Sequence, residues 1–160
     1  MATDGFTTCL WFEDQAEEAA HYYVSIFKNS SVGKVARYTE GAMRPAGSVM
    51  TVDFTANGQR FVALNGGPQF KFTEAISFMI ACADQEEVDF YWNKFLEGGG
   101  EPGPCGWLKD KYGLSWQVIP DRLIELTTDP DPEKAGRAMA AMLKMGKIDI
   151  AALEKAYAGE

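Results

Sequence analysis

The sequence predicts an α+β protein made of two βαβββ modules followed by a helical extension. Three observations support this prediction. A helix-start pattern recurs at a spacing of about 69 residues, β-prone segments surround both copies, and a purely helical pattern follows Pro120. A repeat of this length is typical of one supersecondary unit that occurs twice in a chain. The 160 residues are enough for one domain with a substantial core.

The composition is that of a folded protein, with 46% apolar and 24% charged residues. The net charge of −8 comes from 23 acidic and 15 basic residues. It disfavours binding to nucleic acids and to anionic membranes, because both are polyanions. Solubility alone is enough to explain this charge. We expect neither a nucleic-acid partner nor a membrane partner.

The lack of a recognisable targeting signal and the pattern of cysteines favour a reducing compartment. No apolar segment approaches the ~20 residues that a membrane-spanning helix needs, and no basic segment followed by an apolar one marks a signal peptide. The three cysteines form no CxxC pair. Cys9 and Cys82 lie in apolar segments, where a cysteine is usually a small buried side chain. We therefore expect a cytoplasmic protein.

The repeat consists of the segments CLWFEDQAEEAAHYYVSIF and MIACADQEEVDFYWNKFL. In the first, Asp14 and Glu17 form an Asp-x-x-Glu pattern, and Asp84 and Glu87 form it in the second. An aspartate followed by a glutamate three residues later satisfies the free amide groups at a helix start. Each segment therefore predicts a strand followed by a capped helix. Chance similarity of two helix starts is the alternative explanation.

Apolar residues recur at helical spacing behind both predicted caps. The predicted buried face of the first helix is Ala16, Ala19, Ala20, Tyr23, Ile26 and Phe27. That of the second helix is Val88, Tyr91, Trp92, Phe95 and Leu96.

Strands are predicted after each helix. In the first half they cover 31–40 and 48–56, and Asn57-Gly58 then joins two alternating segments, which is a strong hairpin signal. In the second half, a strand over 75–83 precedes the helix, and shorter strands follow it near 105–109 and at 114–119.

The residues from Thr127 onward predict two helices. The first places Ala135, Met139, Met142 and Leu143 on one apolar face. This methionine-rich face must be buried against another surface. That surface is either the chain's own domain or a second copy of the chain.

The segments ALNGGPQFKFTEAISFMIAC, CGWLKDKYGLSWQVIP and AMLKMGKIDIAALEKAYAG resemble the PhnB-like branch of the vicinal-oxygen-chelate superfamily. That superfamily includes glyoxalase I, bleomycin- and fosfomycin-resistance proteins and extradiol dioxygenases. The resemblance covers about residues 5–158. It implies two βαβββ modules, at 5–66 and 74–120, in a domain over 1–121, with a helical extension over 122–160. It also implies curled mixed sheets around a cavity, and a homodimer.

Strand alternation indicates which side chains face the implied cavity. The helix-facing sets are Thr8, Leu10 and Phe12 on the first strand, Ile76, Phe78, Ile80 and Cys82 on the first strand of module two, and Leu114, Trp116 and Val118 on the last strand. The cavity-facing sets are Thr7, Cys9 and Trp11, then Ala75, Ser77 and Met79, then Ser115 and Gln117. A register slip by one residue would exchange the two sets.

Catalytic members of the superfamily hold a divalent metal at four strand positions. The resemblance places Thr7, Asn65, Ala75 (or Ser77) and Gln117 at those positions. Hydroxyl, amide and methyl groups are poor ligands for zinc, nickel or iron. The chain also has a single histidine, His21, in the first predicted helix. We therefore predict no metal site, no cofactor and no metal-dependent catalysis.

Two further residues could carry chemistry. His21 could act as a base beside Glu17, although a surface histidine is the simpler interpretation. Cys105 could act as a nucleophile at the cavity rim, but no neighbouring residue in the sequence would lower its pKa. The sequence therefore identifies no catalytic residue.

The prediction for function is a pocket that binds a small, partly apolar or aromatic molecule. The pocket candidates are Thr7, Cys9, Trp11, Asn65, Ser77, Trp107 and Gln117. The amides and hydroxyl of Asn65, Ser77 and Gln117 would orient the ligand, and Trp11 and Trp107 would form walls. Relatives of this branch are often labelled as methyltransferases, but the chain has no glycine-rich strand-to-helix turn for S-adenosylmethionine. The alternatives are a metal-dependent lyase or transferase, and a structural or regulatory dimer with a filled cavity.

Overall fold

The strand order is the same in the two halves of the chain, which confirms the duplicated α+β architecture. The computed structural model describes residues 5–160, so the first four residues of the predicted 1–121 domain lie outside it. The strands are β1 (Thr8–Phe12), β2 (Ser31–Arg37), β3 (Val49–Ala56), β4 (Gln59–Asn65), β5 (Ser77–Cys82), β6 (Glu101–Pro102), β7 (Trp107–Lys109) and β8 (Ser115–Pro120). The helices are α1 (Ala16–Ile26), α2 (Gln85–Glu97), α3 (Asp121–Thr127), α4 (Pro132–Met142) and α5 (Ile150–Ala158).

The chain divides into two compact units, the first ending at Lys71 and the second running from Phe72 to Glu160. The first unit contains a sheet in the order β1-β4-β3-β2, and the second contains a sheet in the order β5-β8-β7-β6. In both sheets the first strand pairs in parallel with the last strand of its module, and the remaining pairs are antiparallel. Each sheet with its helix is therefore one copy of the predicted module.

The hairpin between β3 and β4 confirms the Asn57-Gly58 prediction. Both residues have positive φ angles, 50° and 78°, as a two-residue hairpin turn requires. Glycine adopts this conformation without strain, and asparagine tolerates it better than most residues. Strand β2 ends at Arg37, three residues before the predicted end at Glu40.

Helix α1 buries the predicted apolar face against the first sheet, since Ala16, Ala19, Ala20, Tyr23, Ile26 and Phe27 are all buried. The predicted cap of this helix is wrong. Helix α1 begins one residue after Gln15, which makes no side-chain cap, and the carboxylate of Asp14 accepts no hydrogen bond from the helix start. The Asn65 side chain accepts a hydrogen bond from the Ala16 N–H instead, at 2.8 Å.

Helix α2 confirms the second predicted cap. The Glu87 N–H donates to Asp84 Oδ1 at 3.0 Å, and Glu87 Oε2 accepts from the Ala83 N–H at 2.8 Å. These two bonds satisfy amide groups that the helix leaves free. The predicted face is also buried at Val88, Tyr91, Trp92 and Phe95, whereas Leu96 is only half-buried.

Strand β5 is shorter than predicted, and one helix-facing assignment is wrong. The strand begins at Ser77, where pairing with β8 starts. Ile76 precedes the strand and is 69% exposed, because alternation does not extend beyond the paired residues. The remaining pattern holds, with Ile80 and Cys82 buried. The two-residue strand β6 and the seven-residue helix α3 are additions to the predicted elements.

The C-terminal extension packs on its own unit, which is one of the two surfaces expected to cover its helices; coverage by a second copy stays a prediction. Its core consists of Ile119, Leu123, Leu126, Ala138, Ile148 and Leu153. The predicted methionine-rich face is buried only in part, because Met142 packs against this core while Met139 and Leu143 are exposed, and Ala138 turns inward. A small side chain at Ala138 allows helix α4 to approach its neighbours closely.

Side-chain and backbone bonds fix the extension to the second module. The Gln85 amide donates to the Ile148 carbonyl at 3.0 Å and accepts from the Ile150 N–H at 2.9 Å, which joins the starts of α2 and α5. The Cys105 and Gly106 N–H groups donate to the carbonyls of Met145 and Gly146, both at 2.8 Å.

Helices within residues 5–160 are too short or too polar to cross a membrane.

Candidate functional site

Three of the predicted pocket residues lie on or next to β1. Thr7 and Cys9 are exposed and Trp11 is half-buried, while Leu10 and Phe12 are buried against the core. The alternation along β1 is therefore as predicted. The expected burial of Cys9 is wrong, because this residue lies on the face of the sheet opposite the core. Partial burial still raises the pKa of the Cys9 thiol above its usual value.

Trp11 is held by the loop that follows β4. Its indole N–H donates to the Gly67 carbonyl at 2.9 Å. Its ring lies edge-on to Phe70, with 4.9 Å between ring centroids. A Cβ at Gly66 would come within 2.2 Å of the indole, so only glycine fits under this ring. These contacts fix the orientation of Trp11 within the first unit.

Asn65 is 5% exposed, and the fold uses all of its polar atoms. Its Oδ1 accepts from the Ala16 N–H at 2.8 Å, and its Nδ2 donates to the Val49 carbonyl at 3.1 Å. Its own carbonyl accepts from the Tyr38 hydroxyl at 2.6 Å. The amide therefore joins α1, β3 and β4.

The three candidates in the second module lie together on one face of the sheet. The register pairs Ser77 with Ser115 and Trp107 with Gln117. The Gln117 Nε2 donates to the Ser77 Oγ at 2.8 Å. Leu114, Trp116 and Val118 are buried on the opposite face. The alternation along β5 and β8 is therefore as predicted.

A pocket of about 510 Å³ lies next to these residues, entirely within the second unit. Its volume is within the usual range of small-molecule sites. The lining combines apolar walls with a few polar groups, from Glu74, Glu101, Pro102, Gly103, Pro104, Cys105, Trp107, Leu108, Lys109 and Ser115. Of the seven pocket candidates, Trp107 lines this pocket, together with Cys105, which is predicted at the cavity rim, and Ser115 of the cavity-facing set.

Ser115 is the least exposed polar residue among those that line the pocket. It is 1% exposed, and its hydroxyl has no hydrogen-bond partner in the described part of the chain. The register pairs its backbone with Ser77 on one side and with Lys109 on the other. A buried hydroxyl without a partner costs about 1–3 kcal/mol. The fold therefore carries a destabilising group at the lining of a pocket.

An ion pair lies at the same pocket. Lys109 Nζ is 2.5 Å from Glu74 Oε1, and both side chains are largely exposed. The hydrogen bond from Lys109 lowers the pKa of Glu74, and the same bond raises the pKa of Lys109. Both groups are therefore charged at neutral pH. Glu101 lies opposite Lys109 in the sheet register.

The residues at the expected metal positions do not fit a transition-metal site. Thr7 and Ser77 offer hydroxyls and Ala75 offers no donor, while the amides of Asn65 and Gln117 are already hydrogen-bonded to the protein. Zinc, nickel and iron prefer imidazole, thiolate and carboxylate ligands. Over residues 5–160, the structure brings no three His, Cys, Asp or Glu side chains into a metal-binding group.

The other reactive candidates have separate locations. His21 is exposed on α1, as the simpler interpretation predicted. Cys105 lines the pocket with partial burial and a φ of 57°. Cys82 is buried, and burial raises its pKa to about 12.

Sequence reasoning missed several lining residues. Glu74 and Lys109 are far apart in the sequence, and their approach depends on β8 pairing with β5 on one side and with β7 on the other. Ser115 was assigned to the correct face but was not proposed as a ligand group. Its hydroxyl becomes significant only when its burial and lack of a partner are known.

Comparison with protein families gives a match over residues 4–119 to the model described as 3-demethylubiquinone-9 3-methyltransferase. Among solved structures, a PhnB protein from Bacillus cereus is similar at 35% identity and a TM-score of 0.62, over 72% of this chain and 98% of its own. No curated protein matches the chain.

Two more distant structures share the fold. Protein PA1353 from Pseudomonas aeruginosa has 16% identity and a TM-score of 0.60, over 74% of this chain and 98% of its own. The fosfomycin resistance protein FosX from Listeria monocytogenes has 16% identity and a TM-score of 0.52, over 75% of this chain and 94% of its own. At this identity the likeness concerns architecture only.

Proposed function

Since this chain belongs to the PhnB-like family, whose model is described as 3-demethylubiquinone-9 3-methyltransferase, we propose that it binds a small organic molecule in the pocket of its second module. The binding requires neither a metal ion nor S-adenosylmethionine. One observation carries the proposal, namely the buried Ser115 hydroxyl without a partner at the lining of a pocket of about 510 Å³.

The unpartnered hydroxyl of Ser115 carries an energetic cost. An alanine at this position would fill almost the same space without a buried polar group, and it would avoid a penalty of about 1–3 kcal/mol. A ligand that hydrogen-bonds to the hydroxyl removes the penalty in the bound state. Polar groups that weaken a fold are often retained for function. Ser115 would therefore orient the ligand.

The walls supply the remaining binding energy. Trp107 and the two prolines Pro102 and Pro104 line the pocket. Rigid apolar side chains of this kind bury ligand surface with little loss of side-chain entropy. Ser77 and Gln117, which were predicted to orient a ligand, bond to each other beside Trp107. The Asn65 amide is not expected to bind the ligand, because both of its polar atoms are hydrogen-bonded within the first unit.

The family description raises methyl transfer as a competing function. Binding of S-adenosylmethionine commonly uses a glycine-rich turn between a strand and a helix. The turns that lead from β1 to α1 and from β5 to α2 contain no glycine. The geometry therefore favours simple binding over transfer of a methyl group.

The test is a fragment screen by ligand-observed NMR against the full chain, with Ser115→Ala as the diagnostic variant. We expect fragments that bind saturably, that are insensitive to EDTA and that bind about tenfold more weakly to the variant, which is the loss of one hydrogen bond. The variant should also unfold at a higher temperature than the wild type, because it lacks the unpartnered hydroxyl.

Ser25→Ala serves as the matched control, since that hydroxyl lies on the surface and bonds to the Tyr22 carbonyl. It should leave fragment binding unchanged. Equal binding by wild type and Ser115→Ala would overturn the proposal. Binding lost in EDTA would favour a metal enzyme, saturable binding of S-adenosylmethionine would favour a methyltransferase, and a complete lack of binders would favour a structural dimer.

A further inference from the structure

The charges at the pocket do not balance. Glu74, Glu101 and Lys109 all line it. Lys109 and Glu74 neutralise each other across 2.5 Å. Glu101 forms no ion pair within the described residues and acts on Lys109 only through a longer-range charge interaction. One negative charge therefore remains at the pocket rim.

An aromatic ring lies in the same lining. Trp107 precedes Lys109 by two residues on β7, so both side chains project from the same face of the sheet. The indole face is the most favourable natural surface for a cation. The Ser115 hydroxyl can accept a hydrogen bond from an N–H group.

We propose that the pocket selects amines that are protonated at neutral pH and carried on a flat apolar body, in preference to neutral or anionic molecules of the same shape. This inference rests on the proposed function, because it names the ligand class of that same pocket. Glu101 attracts the ammonium group, Trp107 stacks on the apolar body, and Ser115 accepts an N–H.

An anionic ligand fits these groups less well. The only ammonium group among the lining residues belongs to Lys109, and Glu74 already occupies it. An anion would have to displace Glu74 and would then face Glu101. The net charge of −8 also repels anions at a distance and attracts cations.

The experiment compares three probes that share a phenyl group and a two-carbon chain, namely 2-phenylethylamine, 2-phenylethanol and 3-phenylpropionate. Affinities are measured by NMR titration of the full chain at pH 7 and at low and high salt. We expect the amine to bind about tenfold more tightly than the alcohol, with the carboxylate weakest. The preference for the amine should shrink at high salt, because salt screens exposed charges.

Glu101→Gln removes the unpaired charge and should bring the amine close to the alcohol in affinity. Glu97→Gln is the matched control, because it changes the net charge equally but removes a carboxylate paired with Lys94 outside the pocket. It should leave the preference intact.

Equal affinity for amine and alcohol, or tighter binding of the carboxylate, would overturn the amine preference. The proposed function would survive that result, provided that other fragments still bind in a Ser115-dependent way. If none of the three probes binds and the fragment screen also yields no binder, both the amine preference and the proposed function are overturned.

Discussion

The two modules share a topology but cap their helices by different routes. In the first, the acceptor for the α1 start comes from Asn65 at the end of β4, 49 residues away. In the second, Asp84 and Glu87 cap α2 locally. The position that pairs with the end of the first strand is Asn65 in one module and Pro120 in the other. Proline leads directly into α3 and has no side-chain acceptor, so α2 depends on a local cap.

The modules also differ in how they treat a polar side chain on a strand. Asn65 is buried and every polar atom of its side chain is bonded. Ser115 is buried and its hydroxyl has no partner. A fully bonded polar group contributes to stability, whereas one without a partner reduces it. The contrast indicates a structural role in the first module and a binding role in the second.

The largest difference between the modules should appear in thiol reactivity. Cys9 on β1 is exposed, while Cys82 on β5 is buried with a pKa of about 12. Only the thiolate reacts, and about 0.01% of a thiol with a pKa of about 12 is ionised at pH 8. Native Cys82 should therefore be alkylated by iodoacetamide far more slowly than Cys9. Peptide mapping by mass spectrometry measures the two rates. Similar rates would contradict the described orientation of β1 and β5.

The next effect concerns the long-range cap. Asn65→Ala should destabilise the chain by about 2–3 kcal/mol, because it leaves the Ala16 N–H and the Val49 carbonyl without their partner. Urea denaturation followed by circular dichroism gives this value. Asn65→Asp keeps the acceptor for the helix but places a carboxylate oxygen against the Val49 carbonyl, so it should destabilise the chain as well. A neutral effect of Asn65→Ala would show that the amide is not structural.

The smallest effect compares the two Asp-x-x-Glu patterns. Asp84→Ala should cost about 1 kcal/mol as a lost N-cap, whereas Asp14→Ala should change stability by less than about 0.5 kcal/mol. The two variants remove the same charge from matching sequence positions, so each controls for the other. Equal losses in urea denaturation would mean that Asp14 also supports its helix.

Much of the fold could be predicted because it depends on local patterns. The Asn57-Gly58 hairpin, the buried faces of α1 and α2, and the cap at Asp84 are all visible within a few residues. The cap of α1 could not be predicted, since its acceptor comes from a distant strand. Strand β6 is too short to show alternation, and the buried face of α4 depends on where α3 and α5 lie.

The candidate site was predictable in part. Alternation along β8 and β5 correctly brought Gln117 and Ser77 onto one face, and Trp107 lines the pocket. The role of Asn65 could not be predicted from its residue type, because an amide side chain can hydrogen-bond to the protein backbone as well as to a ligand. The pairing of Lys109 with Glu74 depends on sheet register. The predicted homodimer and cytoplasmic location stay predictions.

Gly106 connects the pocket wall to the part of the chain beyond the family match, which ends at residue 119. Its φ is 82°, and a Cβ at this position would lie only 2.9 Å from the Val118 carbonyl oxygen, so there is no room for a side chain. Its carbonyl accepts from the Val118 N–H, and its N–H donates to the Gly146 carbonyl. The segment around Gly146 therefore holds the loop that carries Pro104 and Cys105, and this loop cannot move outward unless its backbone hydrogen bonds to Met145 and Gly146 break.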